Sequence, residues 1–193
     1  MKKVLLLTGL IALTLGPIGC GDKEASGTST EVATPATQED ERKKQQDLVL
    51  EFEKQFLSID ETATDILKTY EQIIEAADKG EVDMTQVYKA ADMTMIAYRT
   101  ALYNGGNVKI PDGLPKEVTS ALKEAKDNYK LSFSSRKTAM EHVKSFLDDN
   151  KPSTGAKITE EVKFSKEFAL KAVTELEKAK ELVGLKEERQ QTN

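Results

Sequence analysis

Few residues in this chain have the types and spacing that chemistry demands. It holds one histidine and one cysteine, so a histidine-based zinc site, a Ser-His-Asp arrangement or a histidine proton relay lacks its parts. His142 precedes Val143 on a helical segment, off the centre of the apolar stripe, and reads as a surface histidine. The acidic runs Glu39-Asp40-Glu41, Asp148-Asp149 and Glu160-Glu161 invite a calcium reading. None has the spaced oxygens and glycine turn of a calcium loop. Helix-end solvation accounts for them, since a helix start favours negative charge. Gly105-Gly106 follows a helix rather than a strand and lacks a following Gly-Lys-Ser/Thr, so it reads as a chain reversal and not a phosphate loop. There is no Gly-x-Ser-x-Gly elbow and no carboxylate pair at a strand end. The expectation is a protein without catalytic residues, metal or cofactor.

The remaining reactive group is the thiol of Cys20. Met1-Lys2-Lys3 is a short positive region, Val4 to Leu15 is an apolar run, and Gly16-Pro17-Ile18-Gly19-Cys20 closes it. The run is too short to span a bilayer, which takes about 20 apolar residues. The arrangement resembles a bacterial lipoprotein signal peptide, with Ile18, Gly19 and Cys20 in the lipobox and Pro17 where the family usually has Leu or a similar residue. The resemblance implies that the thiol of Cys20 takes a diacylglyceryl group, that residues 1–19 are removed and that Cys20 becomes the first residue of the mature chain. Two or three acyl chains, at ~0.8 kcal/mol per buried methylene, would anchor it durably. Cleavage removes Lys2 and Lys3 and leaves 26 basic against 33 acidic side chains, net −7, a balance that argues against nucleic acid and against lipid binding by the domain itself.

Elements that could carry such a domain follow from composition and periodicity. Of 193 residues, 32% are charged and 6% aromatic, with no tryptophan and only 5 prolines, a usage that favours helices. Residues 20–47 read as the lipidated cysteine and a polar, disordered tether. From Leu48 the pattern turns amphipathic. Phe52, Phe56, Ile59, Ala63, Ile66, Tyr70, Ile73 and Ala77 form a first stripe that stops at Gly80. Asp83 and Gln86 form a capping box for a second helix, with Met84, Val87, Ala91, Thr94, Tyr98 and Ala101, ending at Asn104-Gly105-Gly106. After a loop over 104–114, Pro115 opens a third helix with Val118, Leu122, Ala125, Tyr129, Phe133, Arg136, Met140, Val143 and Leu147. A connection over 150–157 leads to the fourth, with Ile158, Val162, Ser165, Ala169, Ala172, Leu176, Ala179 and Val183, stopped by Gly184 before a polar tail, 186–193.

No stretch alternates as a strand would, so the stripes must bury one another. Short connections predict an all-α, antiparallel up-down-up-down four-helix bundle over 48–185. A three-helix core with a displaced fourth segment is the alternative.

Two features within the bundle call for partners. Arg136 stands at the centre of the third stripe, where an unpaired guanidinium would cost several kcal/mol. Asp60, at the edge of the first stripe, is the first-choice partner for a structural ion pair, with Glu161 second. The second helix is apolar nearly all round in its last turns, because Met93, Ile96 and Tyr103 lie opposite its core stripe. Either the loop 104–114 covers them with Val108, Ile110 and Leu114, or they form a partner-binding patch.

The layout of lipobox, tether and long helices loosely resembles the small all-helical cell-wall-binding lipoproteins of Gram-positive bacteria. That resemblance implies a non-enzymatic protein of the cell envelope, lipid-anchored on the extracytoplasmic face of the cell membrane. Its bundle would bind or space a protein or cell-wall partner, with no nucleic acid and no small-molecule substrate. A solute-binding lipoprotein serving a transporter is the alternative, although such proteins use two α/β lobes around a cleft.

Overall fold

The computed structural model describes residues 35–185, which form four helices: α1 (Pro35–Asp78), α2 (Met84–Asn107), α3 (Lys116–Asp149) and α4 (Pro152–Leu182). The described residues contain no strand. Side-chain registers fix the directions. Between α2 and α3, Tyr88 meets Asp148, Asp92 meets Lys144, and Arg136 lies over the Tyr98 ring, so one numbering falls as the other rises. Phe146 beside Gly155 and Ser132 on Ser165 make α3 and α4 antiparallel in the same way. Across the diagonal, Phe56 stacks on Tyr129 and Asp60 pairs with Arg136, which makes α1 and α3 parallel. The bundle is therefore up-down-up-down.

Local chemistry sets the ends. At α2 the Asp83 carboxylate accepts from the Gln86 backbone at 3.0 Å while the Gln86 side chain accepts from the Asp83 N–H at 3.1 Å, the reciprocal box expected from sequence. The turn from α3 to α4 is shorter than the expected 150–157. Asn150 adopts the left-handed conformation, and the Asp149 carboxylate accepts from the Lys151 N–H and the Thr154 hydroxyl. The backbone hydrogen bond from Lys151 holds the Asp149 carboxyl below its ordinary range, its partial desolvation being outweighed.

Packing differs from face to face. The α3/α4 interface is the most extensive, Ser132 and Ser165 meet across it, and both helices bury small residues, Ala121, Ala125, Ser135 and Ala139 on α3 and Ala169 and Ala172 on α4. The α1/α3 diagonal is filled by rings. Phe52 and Phe56 lie 5.1 Å apart, Phe56 and Tyr129 4.7 Å, and Tyr129 and Phe133 6.5 Å. By contrast, α1 and α4 meet mainly through long side chains. Lys180 reaches Glu53 at 3.3 Å, and both Arg42 and Gln46 donate to the carbonyl of Val183.

Three expectations are corrected by this architecture. Residues 35–47, assigned to the tether, belong to α1, in which Arg42 and Gln46 use their polarity to satisfy the carbonyl end of α4. Helix α2 runs through Gly105-Gly106 to Asn107. An added Cβ at Gly105 would lie 3.4 Å from the Phe56 ring, so this glycine permits close approach rather than a turn. The centre of the α1 stripe is Val49, Phe52, Phe56, Asp60, Ala63, Leu67, Tyr70 and Ile74, while Ile59, Ile66 and Ile73 are only half-buried on its flank.

Gly184 carries a positive φ of 79°, and a Cβ there would collide with the Arg42 guanidinium. Gly184→Ala should cost about 1 kcal/mol for the left-handed backbone and more for displacing Arg42. Urea unfolding of the single and double variants is the check, and the second part of the cost should vanish in an Arg42→Ala background.

Candidate functional site

Two places in the bundle draw together the residues that sequence singled out. The first is internal. Arg136 projects from the middle of α3, where its NH1 donates to Asp60 Oδ1 of α1 at 2.8 Å and its Nε donates to Ser165 Oγ of α4 at 3.2 Å. Its guanidinium carbon lies 5.4 Å from the Phe133 ring centre and 5.8 Å from that of Tyr98 on α2. Both side chains of the ion pair are buried, at 10% and 9% exposure. Ser132 completes the cluster by donating to the Ser165 carbonyl at 3.0 Å. Glu161 is not the partner, because Ser165, one turn further along α4, supplies that contact. Charge, hydrogen bonds and ring faces all converge on one guanidinium, and each is occupied within the fold.

Beside this cluster the Tyr98 hydroxyl is buried without a hydrogen-bond partner among the described residues, as is that of Tyr70. Burial pushes the Tyr98 phenol up to about 12, with Arg136 pulling it down and Asp60 and Glu71 adding to the rise. Burial raises Tyr70 and Tyr129 as well.

A second buried ionic group lies between α4 and α1, and sequence reasoning missed it. Lys180 sits between Glu177 at 2.9 Å and Glu53 at 3.3 Å. Burial pulls its pKa down, but the hydrogen bond to Glu177 and the charge of Glu53 outweigh this, so the ammonium titrates above its ordinary value. The available signal was positional, since Glu53 follows Phe52 and Lys180 follows Ala179, each one step from a core stripe.

The second place is external. Met93, Ile96 and Tyr103 on α2 are 60%, 46% and 71% exposed. The loop does not cover them. Because α2 continues to Asn107, the chain leaves the helix later than expected, and Val108 turns inward with its carbonyl held by Lys126 Nζ at 2.6 Å. Ile110 and Leu114 then pack on the core.

No protein-family model, curated protein or solved structure matches this chain. Function must therefore be argued from the residues themselves. His142 is half-buried on α3. Among the described residues no group of three His, Cys, Asp or Glu side chains could hold a metal ion, and no helix is long and apolar enough to cross a membrane. Cys20, the rest of the lipobox and the tail 186–193 lie outside the described residues.

Three expected outcomes follow from this geometry. Arg136→Met leaves Asp60 buried and unpaired, and should cost about 3–5 kcal/mol in chemical unfolding, whereas Arg136→Met with Asp60→Leu should recover most of that loss. Raised phenol pKa values favour the protonated form in the folded state. The contribution of Tyr98 is therefore complete below the free phenol's ~10 and is lost as pH rises through about 12. Tyrosinate absorbance should consequently rise together with loss of helical circular dichroism in an alkaline titration. Replacing Met93, Ile96 and Tyr103 with Ser, Gln and Ser should change unfolding free energy by no more than about 0.5 kcal/mol per site, as for other surface positions.

Proposed function

We propose that the chain is a non-enzymatic lipoprotein of the bacterial cell envelope, held on the extracytoplasmic face of the cell membrane through Cys20, with a helical bundle that binds or spaces a protein or cell-wall partner. The observation that carries this reading is the N-terminal sequence, a Lys-Lys start and an apolar run from Val4 to Leu15 closed by Ile18-Gly19-Cys20. In this reading the acyl chains on Cys20 do the anchoring.

The bundle supports a binding or spacing role over a catalytic one. Its central charges are committed to one another, Arg136 to Asp60 and Ser165, and Lys180 to Glu53 and Glu177. The side chains best placed for recognition lie outside, on α2. In this reading the anchored domain also has an orientation. Helix α1 begins at Pro35, and Arg42 lies against the carbonyl end of α4, so the start of α1 and the end of α4 share the end of the bundle nearest the anchor. The turns after α1 and α3 are then at the far end. Residues 21–34 would allow a reach of at most about 50 Å between lipid and helix, at ~3.5 Å per residue.

Metabolic labelling with a fatty acid tests the anchor. The wild-type chain should be labelled and sediment with membranes. Cys20→Ala should be unlabelled and released, with the thermal unfolding of its bundle unchanged. A wild-type chain that takes no label overturns the reading.

A further inference from the structure

We propose that the outer side of α2 is a docking seam for one amphipathic helix of another protein, a helix whose apolar stripe is flanked by carboxylates. The proposal rests on the reading that this domain holds a partner, and it names that partner's chemistry.

Spacing is the first support. Met93, Ile96, Thr100 and Tyr103 are all exposed and step along α2 by three, four and three residues. At 100° per residue they fall within about 80° of arc. That is the period and width of a seam between two helices, where side chains of one fill the gaps of the other. Met93 supplies an adaptable edge, Tyr103 a rigid aromatic one, and Thr100 a smaller residue between them. A helix lying in a lipid surface presents a broader apolar face than this. Leu170 on α4 makes the contrast. It is 69% exposed, but three of its four neighbours along that side, Lys166, Glu167 and Thr174, are polar, and the fourth, Val173, is half-buried.

Charge is the second support and selects the occupant. The only carboxylate within α2 is Asp92, and Lys144 of α3 holds it. Lys89 and Arg99 are exposed on the outer side of α2, and no carboxylate pairs with either among the described residues. The neighbouring edge of α3 adds Lys126, whose ammonium lies at the Val108 carbonyl, and Lys130, whose stem borders Gly106 and whose ammonium also lies 3.9 Å from Asp127. An apolar seam headed by Lys89 and bordered on its α3 side by Arg99 thus stands out on a chain with more acidic than basic side chains. Carboxylates flanking the stripe of an incoming helix would meet Lys89 and Arg99. The rest of the chain does not supply that helix. Residues 186–193 read Lys-Glu-Glu-Arg-Gln-Gln-Thr-Asn without an apolar side chain, and residues 21–34 contain Val32 as their single large one. A second copy packed by two-fold symmetry would set the same cationic face against itself.

The test uses the full chain in cells that make it, with a photo-crosslinking amino acid at position 100 and, separately, at position 170. Mass spectrometry identifies the crosslinked peptide. Expected is a segment of another protein with a heptad apolar stripe and Asp or Glu flanks, captured from position 100 and not from 170. Lys89→Glu with Arg99→Glu should reduce capture by about tenfold with thermal unfolding unchanged. A crosslink to lipid, to a second copy or to an unflanked segment overturns the proposal. So does equal capture from position 170, no capture from position 100, or indifference to the charge reversal. Fatty-acid labelling in the same cells keeps the two readings apart, because a labelled chain with no capture at position 100 overturns the docking seam and leaves the anchor standing.

Discussion

A guanidinium in the middle of a hydrophobic bundle imposes a constraint that apolar packing does not. Leu or Phe in place of Arg136 would accept many arrangements of neighbouring helices, because heptad stripes can slide past one another by a repeat and still bury apolar surface. Arg136 accepts one arrangement. Asp60 of α1, Ser165 of α4 and the Tyr98 ring of α2 must arrive at the same height. A single side chain on α3 thereby registers the other three helices, and any slip would leave a buried charge unpaired. The Lys180 group does the same for α1 and α4, whose backbones otherwise have little contact.

The interior and the exterior divide the labour. Inside, polar groups are spent on register and rings fill the α1/α3 diagonal, leaving a core of Phe52, Phe56, Tyr129 and Phe133. The α3/α4 pair buries alanines and serines along its extensive interface. Recognition then falls to surfaces that the bundle holds straight but does not use, of which the outer side of α2 is the most apolar.

Much of the fold was legible because helical period survives in individual residues. The stripes of α3 and α4 lie where sequence placed them, and the Asp83–Gln86 box announces the start of α2. Helix α1 was harder, since its apolar residues serve two surfaces. Ile59, Ile66 and Ile73 border the core from the flank, and following them shifted the stripe by one position and put Asp60 at its edge. Residues 38–47 were illegible for a different reason: Arg42 and Gln46 owe their roles to a carbonyl more than a hundred positions away, which leaves no periodic trace. Whether Met93, Ile96 and Tyr103 are covered depends on the path of the following loop, and that path is not encoded in the helix.

The clasp between α3 and α4 also bears on the order in which the chain assembles. Asp149 ties Lys151 and Thr154 across a turn of two residues, so these two helices can zip together through contacts close in sequence. Helix α1 has no such local partner at its centre, for Asp60 must wait for Arg136 and Glu53 for Lys180. In a chain delivered amino end first, the segment to emerge earliest can therefore complete its buried ion pairs only once the carboxyl-terminal hairpin has arrived.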